Sequence, residues 1–217
     1  MSAPNIDALV IDFGGVLTTP LQDALAAFAE EMGIELQDLV RVALGLYTGT
    51  EDPLVHDFEI GAISEEEFGA GLAARLQEAT GVRVPSHGLV ARMFAVDLEE
   101  DMLSAVAAIG GAGFKTALLS NSWGSSLYPR SRLVDLFDAV VISGEVGMRK
   151  PDPRIYALAL ERIRVAPERS VFVDDHPGHL AAARELGLMT LLHRSPQETI
   201  GELEALLGVK LRNEGQR

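Results

Sequence analysis

Ala8-Leu9-Val10-Ile11-Asp12-Phe13-Gly14-Gly15-Val16-Leu17-Thr18 is the stretch on which the fold turns. Four apolar residues run into a carboxylate, and two glycines come almost at once. A short apolar run bounded by glycine predicts a strand buried on both faces. Asp12 then falls at the C-terminal end of that strand, where open α/β sheets bind their ligands. The glycines beside it let the backbone turn sharply and approach a bound group closely. Aspartate and glycine are also common turn formers, so this stretch alone does not establish chemistry. A second strand of the same form, Ser170-Val171-Phe172-Val173-Asp174-Asp175, changes the weighting.

Two further strands are predicted over Thr116–Ser120 and Ala139–Ile142, and another over Met189–Leu192. Amphipathic helices fall between them. Met102, Leu103, Val106 and Ile109 mark one helical face, and a short helix is expected over Leu133–Phe137. Ile155, Ala159 and Ile163 mark the next. Leu180, Ala183 and Leu186 belong to a helix starting at Pro177 and ending at Gly187. Ser195 caps the last helix, with Ile200, Leu203 and Leu207 on its buried face. Strands alternating with helices imply a parallel sheet covered on both faces, a doubly wound Rossmann-like α/β core. Residues after Leu211 are expected to fray.

Residues 19–96 read differently, as helix with no convincing strand. Thr19 is expected to cap a helix that has Pro20 in its first turn and Gln22 reaching back. Leu21, Leu25, Phe28 and Met32 form its face, and Gly33 its end. More helix is expected over Leu36–Leu46. Ser64-Glu65-Glu66-Glu67 is a capping box leading into Phe68, Leu72 and Leu76, with the glutamates as the charged first turn. Gly81–Pro85 reads as a loop, with a short helix after His87-Gly88-Leu89. The simplest organisation is a core of residues 1–18 and 97–217, with a helical cap subdomain, 19–96, inserted after the first strand.

The chain has 217 residues, 47% of them hydrophobic, and a net charge of −14. Its pI is about 4.7. That acidity argues against nucleic acid or an anionic membrane as partner, since both need basic surface. There is no cysteine, which excludes a disulfide framework and a thiolate metal site. Met1–Asn5 shows no basic segment leading into an apolar one, so no signal peptide is expected, and no apolar run has the length of a membrane helix. The expectation is a cytoplasmic protein, monomeric or homodimeric.

Asp12 with Gly14, Ser120-Asn121, Lys150 and Asp174-Asp175 all fall at predicted strand ends or in the loops after them. Strand ends of a parallel sheet share one rim, so these groups have the means to share one pocket. Carboxylates crowded together repel one another unless cations lie among them. A hard cation with oxygen ligands answers that need, Mg²⁺ being the usual one beside phosphate. Lys150 adds a further positive charge.

These stretches together resemble the haloacid dehalogenase superfamily of hydrolases. Asp12-Phe13-Gly14-Gly15-Val16-Leu17-Thr18 resembles its first motif and Leu118-Leu119-Ser120-Asn121-Ser122 its second. Gly147-Met148-Arg149-Lys150-Pro151-Asp152-Pro153-Arg154-Ile155-Tyr156 resembles its third and Val171-Phe172-Val173-Asp174-Asp175 its fourth. Gly61-Ala62-Ile63-Ser64-Glu65-Glu66-Glu67-Phe68 resembles a cap segment of the branch holding sugar-phosphate phosphatases and the phosphatase domain of soluble epoxide hydrolases. The resemblance implies Asp12 as the nucleophile that becomes an aspartyl phosphate. It implies that Ser120 and Asn121 bind phosphoryl oxygens, with Gly14 and Gly15 beside them, and that Lys150 balances charge. The implied ligands of Mg²⁺ are Asp12, Asp175, the Gly14 carbonyl, and Asp174 directly or through water. The implied substrate is a small phosphorylated metabolite, a sugar phosphate among the candidates.

One position departs from that family. Most of its phosphatases carry a second aspartate two residues after the nucleophile, which protonates the leaving group; here it is Gly14. Such general acid–base help is typically worth ~10²–10⁴-fold. Three readings stand, in order: a Mg²⁺-dependent phosphomonoester hydrolase, a 2-haloacid dehalogenase using the same aspartate, and a weakly catalytic phospho-ligand binding module. The Asp174-Asp175 pair favours the first, because dehalogenases need no metal. His176 and His179 beside those carboxylates read as turn and helix-start residues rather than zinc ligands, with acid–base assistance from His176 as the lesser alternative. His56, His87 and His193 read as packing or surface residues. Trp123 reads as packing at a domain junction with substrate contact as the alternative, and Arg149 as either a phosphate contact or a surface pair.

Overall fold

The structure is a computed structural model and describes residues 5–44 and 52–211. Its strands are β1 (Ala8–Ile11), β2 (Lys115–Ser120), β3 (Ala139–Ile142), β4 (Ser170–Asp174) and β5 (Met189–Leu192). They form one parallel sheet in the order β3-β2-β1-β4-β5. The helices are α1 (Leu21–Met32), α2 (Leu36–Leu44), α3 (Pro53–Glu59), α4 (Glu65–Thr80), α5 (Leu89–Met93) and α6 (Glu100–Gly111). After these come α7 (Arg130–Leu136), α8 (Ser143–Val146), α9 (Pro153–Ile163), α10 (Pro177–Glu185) and α11 (Pro196–Leu207).

Every residue of β1 is buried, as its unbroken apolar run requires. Successive side chains point to opposite faces of the sheet. Leu9, Ile11, Leu118, Val171 and Val173 therefore pack against α6, α7 and α11. Val10, Ala117, Leu119, Val141 and Phe172 pack against α9 and α10 on the other side. This is the doubly wound α/β fold the strand pattern implies. From β1 the chain builds outward through β2 and β3, then returns to build β4 and β5 on the opposite flank. The order reverses between β1 and β4, which opens a crevice beyond their C-terminal ends.

The helices α1–α5 pack around a separate apolar cluster built on Leu25, Phe28, Leu39, Phe58, Phe68, Leu72 and Phe94. Ser64 and Glu67 form the expected capping box, and Gly33 ends α1 in the left-handed region. The chain leaves and re-enters the sheet side by side. Thr18 pairs with Leu98 in an antiparallel bridge, and the Glu99 amide donates to the Leu17 carbonyl at 2.9 Å.

Thr19 does not cap α1 as its sequence suggests. Pro20 occupies the N-cap, with no side-chain capping bond. The Thr19 hydroxyl instead accepts the Asp97 amide at 3.1 Å. A partner from the returning linker wins over local capping. The helix expected over Leu36–Leu46 is present to Leu44, and its last two residues lie outside the described ones. The tail expected to fray after Leu211 lies outside them as well.

Candidate active site

Parallel pairing sets Asp12 and Asp174 side by side. Ile11 registers with Val173, and the Asp12 amide continues the ladder to the Val173 carbonyl at 2.9 Å. Lys150 reaches the same point from the loop after β3 and α8. Its Nζ lies 2.8 Å from Asp12 Oδ1 and 2.7 Å from Asp174 Oδ2, and its side chain is 0% exposed. Asp12, Asp174 and Asp175 place one carboxylate oxygen each within 4.8 Å of one another. Four of the residues picked out by sequence thus share one rim of the sheet.

The electrostatics reflect burial in competition with Lys150. Burial pushes the Asp12 carboxyl up to about 6 against the pull of Lys150, with the Asp174 and Asp175 charges adding to the rise. Asp174 is also buried, yet the Lys150 charge and His179 hold it well below the usual carboxylate range. Burial and the Asp174 charge push Asp175 up to about 6. Burial works against the Lys150 ammonium, but the Asp12 and Asp174 charges prevail and raise it. One buried ammonium therefore serves two carboxylates, while Asp175 is left short of positive charge.

Both Asp174 oxygens are committed. Besides Lys150, they accept the His176 amide at 2.7 Å and meet His179 Nδ1 at 3.1 and 3.2 Å. His179 is a site neighbour that sequence reading places only in a helix start. Its signal is its position, one turn into the helix after Asp174. Asp175 instead turns toward Gly15. That glycine has φ +72°, and a Cβ built on it would lie 2.7 Å from Asp175 Oδ2. The carboxylates of Asp12 and Asp175, with Asp174 alongside and a backbone without side chain at Gly15, fit a divalent cation such as Mg²⁺.

Gly14, Ser120 and Asn121 come together a short way along the rim. They line a cavity of about 20 Å³ whose remaining walls are Phe13, Thr18, Leu21, Val96, Trp123, Leu127 and Tyr128. The Ser120 hydroxyl meets the Tyr128 hydroxyl at 2.9 Å; no sequence signal marks Tyr128. The Asn121 side chain is turned to the Lys150 backbone, donating to its carbonyl at 3.0 Å and accepting its amide at 2.8 Å. Gly15 gives its amide to the Thr18 hydroxyl at 2.9 Å. A Cβ at Gly14 would meet Leu21 Cδ1 at 3.4 Å, so α1 presents an aliphatic side chain where an acid is usual in the resembled family. Trp123 packs against Phe94, ring centroids 4.8 Å apart, with Phe58 and Phe68 beyond. His193 is buried and bonded to Thr199 at 2.9 Å.

No helix among the described residues is long and apolar enough to cross a membrane. Residues 6–187 match the haloacid dehalogenase-like hydrolase family. The pig bifunctional epoxide hydrolase 2 is 32% identical over 94% of this chain. The chain spans 39% of that protein's length, and less of the other mammalian relatives it matches. A phosphorylated carbohydrates phosphatase from Thermotoga maritima is 28% identical, over 84% of this chain and 82% of its own. Among solved structures, a HAD-like family hydrolase from Porphyromonas gingivalis superposes with a TM-score of 0.71 at 22% identity. That superposition covers 95% of this chain and all of the other. Fold, motif order and family match agree: the chain belongs to the haloacid dehalogenase-like hydrolases.

Proposed function

We propose that this hydrolase cleaves a small phosphomonoester through an aspartyl phosphate on Asp12. The observation that carries the reading is the buried Lys150 ammonium held between Asp12 and Asp174 at the crevice. It keeps a nucleophilic carboxylate ionised in a dry site and leaves positive charge where a phosphoryl group would arrive. Relatives that include a phosphorylated carbohydrates phosphatase support the same direction.

In this reading an Asp12 oxygen attacks phosphorus, an O–P bond forms, and the bond from phosphorus to the leaving oxygen breaks. Water then attacks the same phosphorus and releases inorganic phosphate, restoring the Asp12 carboxylate. The Ser120 hydroxyl, fixed by Tyr128, contacts the phosphoryl oxygens. Asn121 acts by holding the Lys150 backbone. Asp12, Asp175 and the Gly14 carbonyl would hold Mg²⁺, with Asp174 anchoring Lys150 beside them. The cation would offset the charge of the carboxylates and the phosphate. The helical unit of residues 19–96 serves as the cap over this crevice, and the protein acts in the cytoplasm.

The test is a screen of phosphate esters with and without Mg²⁺, with 2-chloropropionate included. Mg²⁺-dependent phosphate release supports the proposal. Metal-independent halide release would replace it with the dehalogenase reading, and tight binding of phosphorylated ligands without turnover would replace it with the binding module.

A further inference from the structure

We propose that Glu59 and Arg149 form a positioning pair that sets the helical unit in register with Lys150. Glu59 ends α3 and is only 6% exposed. Its carboxylate accepts the Arg149 guanidinium, from the residue next to Lys150. Its main-chain carbonyl accepts the Ser143 hydroxyl at the start of α8. That same hydroxyl oxygen accepts the Ser122 amide at 2.7 Å. Ser122 is the residue after Asn121, whose side chain brackets the Lys150 backbone. One helix end therefore touches the loops after β2 and β3 and the segment that delivers the site's ammonium.

The seam has no slack. Gly61 sits at φ +74°, and a Cβ there would come within 2.2 Å of the Gly144 carbonyl oxygen. A Cβ on Gly144 would approach Ser122 Oγ at 3.1 Å. Backbone meets backbone here, and close-packed contacts of this kind transmit displacement rather than absorb it. A buried ion pair is weak evidence for stability, since apolar residues of like volume often serve as well. At this seam the pair is better explained by the alignment it enforces. Burial pushes the Glu59 carboxyl up against the pull of Arg149, His179 and Lys150, so it lies in the field of the site.

The kinetic consequence rests on the hydrolase reading; the structural one does not. The experiment compares the full chain with Glu59→Gln, Arg149→Met and the double variant. Glu59→Gln keeps the carbonyl that Ser143 binds. Each single variant is expected to speed hydrogen exchange in residues 57–63 and 143–150 by about tenfold, with β1 and β4 unchanged. Each is expected to lower kcat by about tenfold with little change in KM, and the double variant to be no worse than the worse single one. Glu59→Asp, which keeps the charge, should recover part of both. Unchanged exchange would overturn the pair, as would single effects that multiply in the double variant. Faster exchange with unchanged kcat would reduce it to a latch and overturn the positioning role. A wild-type chain that turns over no ester or haloacid would count against the hydrolase reading, and exchange alone would then decide the pair.

Discussion

Replacing Lys150 by methionine isolates the charge at the centre of the site. Methionine nearly conserves the volume, so no large cavity forms, but Asp12 and Asp174 lose their shared ammonium. Asp174 is 0% exposed and the Lys150 side chain likewise, so water cannot replace the lost partner. Removing one member of a buried pair costs about 3–5 kcal/mol. At about 2–4 °C per kcal/mol for a chain of this size, Tm should fall by about 6–20 °C.

Lys115→Met is the internal control. Lys115 contacts Asp138 at 2.6 Å, a similar distance, but its side chain is 52% exposed. Exposed pairs are worth about 0–1 kcal/mol, so that variant should melt within about 4 °C of wild type. The loss at Lys150 should also depend on pH. In the wild type Asp174 is depressed, so its contribution is present above its unfolded value and is lost only as pH falls through the depressed folded value. Without Lys150 the Asp12 carboxyl, already raised in the wild type, rises further and Asp174 is no longer held down, so their ionisation opposes folding as pH rises. The deficit should therefore shrink at about pH 5. The assay is thermal unfolding monitored by circular dichroism, in chelator, at neutral pH and at pH 5. A Lys150→Met loss no larger than that of Lys115→Met, or one unchanged with pH, would overturn this electrostatic explanation.

Gly15→Ala should cost on the order of 1–3 kcal/mol from its left-handed backbone alone. It should also weaken Mg²⁺ binding, because its Cβ would lie 2.7 Å from Asp175 Oδ2; denaturant melts and a metal titration read the two effects separately. Mg²⁺ affinity should fall as pH drops through about 6, where Asp175 takes up a proton. In chelator the sign reverses for stability. A carboxyl whose folded value is raised favours the fold below its unfolded value, and that advantage is lost as pH rises through the folded value. Tm in chelator should therefore be higher at about pH 5 than at neutral pH, with Mg²⁺ raising it at neutral pH. With no carboxylic acid at Gly14, turnover should favour aryl over alkyl phosphates, and equal rates would place another acid in the site.

The strands and the site are legible in the sequence for a common reason. A strand covered on both faces must be apolar throughout, so Ala8–Ile11 and Val171–Val173 stand out, and a parallel sheet brings the C-terminal ends of such runs to one rim. Asp12, Lys150, Asp174 and Asp175 meet there. Other features depend on partners that no local pattern announces. Thr19 has the form of a helix cap but bonds to Asp97, 78 residues away. Glu59 and Arg149 are 90 residues apart and meet only because α3 is seated on the core. Tyr128 reaches Ser120 from a loop without a distinctive motif. Gly14 is visible as a departure, but the Leu21 side chain facing it depends on the path of α1.

Attack of Asp12 on phosphorus is the step on which the proposed chemistry depends, and it leaves a covalent trace. Enzyme quenched in acid during turnover of a phosphate ester with Mg²⁺ can be digested and weighed by mass spectrometry. The peptide containing Asp12 should carry the mass of one added phosphoryl group, absent in Asp12→Asn, a variant expected to fold but not to turn over. A phosphoryl group on any other residue, or turnover that survives Asp12→Asn, would show that Asp12 is not the nucleophile.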